Sequence, residues 1–378
     1  MNYFDKLTAK VKHLREKYPS RPRKAAASML MWSVKNLFLK TDKSIFKDSV
    51  LHIAIGVYGG MGDMFFAVRY VDALSRYLKQ KLIVCTENKT LAYAQTIFGN
   101  LTSVESVVCG NDAQCDIKIQ VVRFPQIVFC DFDRLQTVGG DKIKSYVQSL
   151  IDLQSYIPHV LTNDYLGRCY TQVKGLRREA QADIDGILKL TDVSLNIPAA
   201  DPQIDGPFIT VQTGSGTHFK GIEHETRQWA VEKYEQLVEL LKQEYPRFKI
   251  VQIGADYHPR IQGTDLDLLG KTSIPEVFGL LKNAALHIQQ EGGLAIARHY
   301  LCGKPSVVLF GPTDEKFLGF PENLNLRAAG FDCCCEWLTK DWNKKCLKTG
   351  SCAACMQELS AQTVFEKIKA SRILENIK

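Results

Sequence analysis

The chain has 378 residues, 24% of them charged and 45% apolar, and a formal net charge of +7. This balance suits a globular protein with room for two domains and excludes a disordered or fibrous chain. No apolar run approaches the ~20 residues of a membrane-spanning helix, and the first residues lack the apolar core of a secretion signal. The protein is therefore expected in the cytoplasm, with its 12 cysteines as thiols or metal ligands rather than a disulfide framework.

Residues 1–48 read as a basic amphipathic extension. Lys6, Lys10, Lys12, Arg15, Lys17, Arg21, Arg23 and Lys24 precede AAASMLMWSVKNLFL. Basic residues beside Met29, Leu30, Trp32, Leu37 and Phe38 suit an anionic membrane surface. They equally suit a solvated helix followed by one packed on the core. No nucleic-acid-binding motif accompanies the charge, so no nucleic-acid partner is expected.

Residues 49–195 form a first half. LHIAIGV, KLIVCTE, VESVVCG, DIKIQV and PQIVFC are strand-like, and MFFAVRYVDALSRYLKQ has helical spacing. This is the rhythm of an open parallel sheet. Residues 140–190 are mostly helical in pattern. SLNIPAADPQIDGP, residues 194–207, is linker-like. The rhythm restarts over 208–360: FITVQT, FKIVQIG, ALHIQQE and SVVLFG as strands, with AVEKYEQLVELLKQEY, IPEVFGLLKNA and GGLAIARHYLCG as helices. A last helix within 361–378 is placed to cross back to the first half. The fold class is α/β, two doubly wound sheets facing each other across a cleft, where ligands gather at the carboxyl ends of the strands.

The turn GVYGGMGDMFFAV ends the first strand. Gly60 and Gly62 suit a tight turn that exposes backbone N–H groups, yet Asp63 sits where an anion would be drawn. Asp63 is therefore either a helix N-cap or a carboxylate with a chemical task.

Four stretches together resemble glycosyltransferase family nine, the bacterial heptosyltransferase group of GT-B type, with two facing Rossmann-like domains. They are GGMGDMFFAVRYVDAL; VQTGSG with TRQWAVEKYEQLVELL; LLGKTSIPEVFGLLKNAALHIQQEGGLAIARHYLCGKPSVVLFGPTD; and the cysteine-containing tail with MQELSAQTVFEKI. The chain departs from the family pattern in the acidic turn. Glu291-Gly292-Gly293 replaces Asp-Ser/Thr-Gly, and Ile296 stands at the place of a histidine, with His299 one helical turn on.

The resemblance implies transfer of a sugar, with inversion, from a nucleoside diphosphate, ADP-heptose above all. The acceptor is a glycolipid of the lipopolysaccharide core at the inner membrane, or a protein in the alternative branch. A nucleotide-sugar epimerase is the competing activity on the same fold. Asp63 then serves as the base, with Gly60 and Gly62 on the acceptor side. Thr213, Gly214 and Ser215 would offer donors to the diphosphate, and Arg227, with Lys220 as its rival, would neutralise the leaving group. Glu291, Gly292 and Gly293 would meet the donor sugar, and Gly311 and Thr313 the nucleotide. Asp256 would meet the ribose or base, as acidic residues after a strand do in dinucleotide folds. No D-x-D motif is present, so no catalytic metal is expected. In the tail, Cys352 and Cys355 have C-x-x-C spacing and, with Cys335 and Cys346, make a candidate structural site for zinc or iron.

Overall fold

The computed structural model describes residues 45–110, 113–121, 124–156, 175–183, 186–193, 195–200, 202–214, 225–331, 335–338, 342–350 and 353–375. The basic N-terminal segment through residue 44 lies outside them, as do Ser215, Lys220 and Cys352.

The first half is a five-stranded sheet in the order β3-β2-β1-β4-β5. Its strands are β1 (Ile53–Val57), β2 (Leu82–Thr86), β3 (Val104–Cys109), β4 (Ile117–Val121) and β5 (Pro125–Cys130). Every residue of β1 is buried, as expected of a central parallel strand. Its helices are α1 (Met61–Leu78), α2 (Leu91–Phe98), α3 (Phe132–Val138) and α4 (Asp141–Tyr156). The sheet is not wholly parallel, because β5 runs antiparallel to β4. Only three residues separate the two strands, too few for the crossover that parallel pairing requires.

The second half is a six-stranded sheet in the order β11-β10-β9-β6-β7-β8, parallel throughout. Its strands are β6 (Phe208–Gln212), β7 (Lys249–Gln252), β8 (Leu266–Asp267), β9 (Leu286–Gln290), β10 (Ser306–Leu309) and β11 (Leu324–Leu326). The helices are α5 (Val231–Glu244), α6 (Ile274–Asn283), α7 (Gly293–Cys302), α8 (Glu315–Leu318), α9 (Cys335–Leu338), α10 (Ala354–Glu358) and α11 (Ala361–Ser371). Local chemistry sets several boundaries. Glu276 accepts the Ser273 N–H at 2.7 Å, a capping interaction that starts α6. Gly303, at φ 61°, stops α7 in the left-handed conformation that glycine tolerates.

The strand order reverses between β1 and β4 in one sheet and between β6 and β9 in the other. α1 follows β1 and α7 follows β9, so each helix starts where a doubly wound sheet binds its ligand. The two helices pack on each other. Phe65 of α1 meets Phe278 and Tyr300 with ring centroids 5.8 Å apart in both cases, and Phe66 stacks on Phe320 at 6.3 Å. One apolar core thus runs from the first sheet through α1 into α6 and α7. Arg298 of α7 is fully buried and donates to the carbonyls of Leu281, Ala284, Ala285 and Pro305. It satisfies the open end of α6 and joins the two helices, and burial pulls the guanidinium down to about 10.

Residues 195–200 and 202–207 carry neither helix nor strand, as their composition suggests. They are not slack: the Ala200 N–H donates to the Pro275 carbonyl at 2.9 Å. The last helix differs from expectation. α11 and the turn after it through residue 375 lie on the second half, with Val364, Phe365, Ile368 and Leu374 in the core around Trp229 and Tyr234, and α11 packs along α5. Among the described residues, no helix is long and apolar enough to cross a membrane.

Candidate functional site

α1 and α7 meet at their N-terminal ends. A Cβ on Gly62 would lie 3.4 Å from Gly293 Cα, and one on Gly293 would lie 3.3 Å from Gly62 N. Gly62 sits inside the first turn of α1, so its role is close approach and not a loop conformation. Ile296 closes the gap from the other half: its Cδ1 would be 2.8 Å from a Cβ on Gly62. This is the position at which the family pattern carries a histidine, and here it is a packing residue. Two helix N-termini, each with unsatisfied N–H groups and a partial positive charge, therefore converge between the halves.

Asp63 stands on the first half's side of this crossing. It is the third residue of α1, and the N-cap is Gly60, so Asp63 is not the cap itself. Its Oδ2 accepts the Gly60 N–H at 3.2 Å, and its Oδ1 accepts from Arg178 at 2.8 Å. The side chain remains 41% exposed, which leaves it open to a ligand.

Arg227 and Glu291 stand on the other side. Arg227 ends a short 3-10 turn, Glu225–Arg227, and Glu291 follows the last residue of β9. They form an ion pair at 2.6 Å, so two residues expected to serve separate parts of a donor are in fact partners. The Arg227 guanidinium also lies 5.3 Å from the centre of the Trp342 ring. Its buried Nε–H has no partner among the described residues, and neither has the buried Thr313 hydroxyl. A buried donor without an acceptor is costly, and an anionic ligand would satisfy it.

Tail residues hold the loop after β10. The Gly311 and Thr313 carbonyls both accept from Arg327, the Asp314 N–H donates to Glu336 at 2.5 Å, and Trp337 donates to Asp314 at 2.9 Å. The other predicted residues divide. Thr213 is buried and its hydroxyl donates to the Pro259 carbonyl at 2.7 Å, which commits that donor. Gly214, at φ 79°, lies against the His258 ring. Asp256 is exposed and packs beside Gly270; among the described residues no contact joins it to the Arg227–Glu291 pair. A hollow of about 10 Å³, room for little more than a water, is bordered by Glu291, Gly292, Ile296, Val308 and Phe320. A second hollow lies elsewhere, on the outer face of α5 between Glu232, Glu235 and Glu239 with Lys242 at its edge, a mainly acidic lining that would repel a phosphate.

No family model and no curated protein matches the chain by sequence. Solved structures do match. ADP-heptose lipopolysaccharide heptosyltransferase II of E. coli shares 14% identity over 86% of this chain and 100% of that one, at a TM-score of 0.53. The iron-containing dodecameric glycosyltransferase TibC of enterotoxigenic E. coli shares 14% identity over 86% of this chain and 77% of that one, at 0.58. The fold is that of the heptosyltransferases. A family nine glycosyltransferase of Veillonella parvula has it too, at 11% identity over 86% of this chain and 98% of that one, with a TM-score of 0.51.

Within this heptosyltransferase fold, sequence reasoning missed Arg178 and the packing role of Ile296. Arg178 lies 115 residues from Asp63, in a short 3-10 segment, Arg178–Asp183, that carries no motif. The tail thiols of Cys335, Cys346 and Cys355 are all buried, and those of Cys335 and Cys346 both act electrostatically on Cys355. Burial pushes Cys355 up to about 11. Burial also acts on Cys346, but hydrogen bonds from the Ala354 N–H and from Thr349 outweigh it and bring that thiol down to about 7. Among the described residues no three side chains form a metal-holding group; the three thiols would need a ligand from outside them.

Proposed function

We propose that the protein is an inverting glycosyltransferase that moves a sugar from a nucleoside diphosphate to a hydroxyl acceptor. The observation that carries this reading is the crossing of α1 and α7. It sets an exposed carboxylate on one side of two helix N-termini and a buried, unsatisfied arginine donor on the other. The diphosphate would take the helix ends and the Arg227 Nε–H. The acceptor oxygen attacks the anomeric carbon from the opposite face, the bond to the diphosphate breaks, and Asp63 takes the acceptor proton as the new bond forms. Arg227 offsets the charge that grows on the departing phosphate. Glu291 orients Arg227 and receives donor-sugar hydroxyls.

ADP-heptose is the donor we favour, because TibC has the same fold at a TM-score of 0.57 in a complex with ADP-D-beta-D-heptose. A lipopolysaccharide-core glycolipid is the leading acceptor, met in the cytoplasm at an anionic membrane face bound by the basic extension. A protein acceptor is the second reading. Its support is the three buried tail thiols, which would suit a structural iron or zinc only with a ligand from outside the described residues. A catalytic metal has no role in either.

Asp63→Asn tests the base. Asn can still accept the Gly60 N–H but takes no proton from a hydroxyl at neutral pH. Turnover should fall by ~10²–10⁴-fold, while melting temperature and nucleotide binding are retained. Near-normal acceptor-dependent release of nucleoside diphosphate would remove Asp63 from the chemistry. Release that needs no acceptor would point to the epimerase.

A further inference from the structure

A base beside a diphosphate has an electrostatic problem. Asp63 is a negative charge at the same helix crossing that is meant to attract a more highly charged anion. The environment of Asp63 contains a remedy. Arg178 reaches it across 2.8 Å with a side chain only 8% exposed, and the guanidinium lies over the Phe66 ring at 5.0 Å. The neighbouring charges are otherwise engaged. Arg69 holds Glu179 at 3.0 Å and Asp192 at 3.2 Å. Arg177 holds Glu179 at 3.3 Å and also donates to the Gly319 carbonyl in the other half. Among the described residues, Arg69 and Arg177 are thus committed to Glu179 and Asp192, and Arg178 pairs with Asp63.

We propose that Arg178 is a positioning residue that acts through Asp63, holding its carboxylate toward the acceptor and cancelling the charge that would oppose the diphosphate of the donor. This rests on the reading that the diphosphate lies at the α1–α7 crossing. An ionised carboxylate has about four lone-pair sites. Arg178 takes one on Oδ1 and the Gly60 N–H takes one on Oδ2, so each oxygen keeps a site for the acceptor hydroxyl. Arg178 also couples the halves: the residue before it is tied to Gly319 beside the aromatic cluster, so the carboxylate is held in a fixed relation to the nucleotide half.

The prediction concerns charge and can be read without turnover. Nucleoside diphosphates (ADP, GDP and UDP), each beside its own nucleoside, are titrated calorimetrically into the full chain and its variants. For the nucleotide that binds, Arg178→Met should weaken the diphosphate about threefold to tenfold at low salt, the size of repulsion from one unit charge across a wet cleft. The nucleoside should be unaffected, and the loss should shrink at high salt. Arg178→Lys should keep most of the affinity. Adding Asp63→Asn to Arg178→Met should restore it, an outcome that loss of structure would not produce. Equal weakening of nucleoside and diphosphate, or no restoration by Asp63→Asn, overturns the inference, as does wild-type affinity in Arg178→Met. If the wild-type chain binds no nucleoside diphosphate at all, the functional reading itself fails, and this inference with it.

Discussion

Alanine at Gly62 probes how the two halves meet. The added Cβ would lie 2.8 Å from Ile296 Cδ1, where carbons rest at about 3.5–4.0 Å. The isoleucine tip must therefore retreat by roughly 1 Å, and overpacking of this kind costs ~1–3 kcal/mol. Helix propensity opposes it, since Ala is favoured over Gly by ~1 kcal/mol. The single variant should fall between neutral and about 2 kcal/mol less stable. Ile296→Val removes the atom in the way, at a cost of its own of ~0.5–1.5 kcal/mol. In that background Gly62→Ala should change sign and stabilise by up to about 1 kcal/mol. Urea unfolding of the four proteins gives the coupling, ~1–3 kcal/mol. Two spectroscopic probes must give the same transition for the energies to be comparable. If Gly62→Ala has the same effect in both backgrounds, Ile296 does not bear on Gly62 in solution, and the halves stand further apart than described here.

Two further outcomes follow from charge and thiol placement. Burial pushes Glu322 up, but the hydrogen bond with His299 at 2.6 Å, a backbone N–H and the charges of His299 and Arg177 together outweigh it and hold the carboxyl below its ordinary value. A depressed folded value stabilises fully above the unfolded value and is lost as the pH falls through the folded one. Glu322→Gln should therefore melt below the wild type at neutral pH, with the gap closing in acid; a gap independent of pH would refute the assignment. For the tail, elemental analysis should find about one iron or zinc per chain, and Cys355→Ser should lower both metal content and melting temperature. Fully folded, metal-free protein with every tail thiol titratable would dismiss the metal.

The strands were legible because their apolar runs are short and bounded by turn formers, and the central ones are buried on both faces. The direction of β5 was legible only in the connection: Val121 and Pro125 are too close in sequence for a crossover. β8 and β11, of two and three residues, are too short to show a period. At the candidate site, Asp63, Arg227 and Glu291 were singled out through their motifs. Their partners were not, since Arg178 and Trp342 come from segments whose composition says nothing of where they fold. Thr213 looked like a donor for phosphate because a sequence cannot show that the Pro259 carbonyl has taken its hydroxyl. Ile296 looked like a lost histidine, and only the approach of Gly62 gives it a purpose.

The continuous core across the halves also limits how a protein of this fold can be recombined. Domain exchange between related transferases treats each half as a module whose specificity travels with it. Here Gly62 of one half fits Ile296 of the other, Phe66 fits Phe320, and Arg177 grips the Gly319 carbonyl. A hybrid that imports a bulkier residue at any of these points would part the helix ends and, on the proposed reading, misplace Asp63 relative to a diphosphate even with both residues present. Folded chimaeras would have to carry the seam residues as matched pairs, so changes away from that seam are better tolerated than exchange of the whole half.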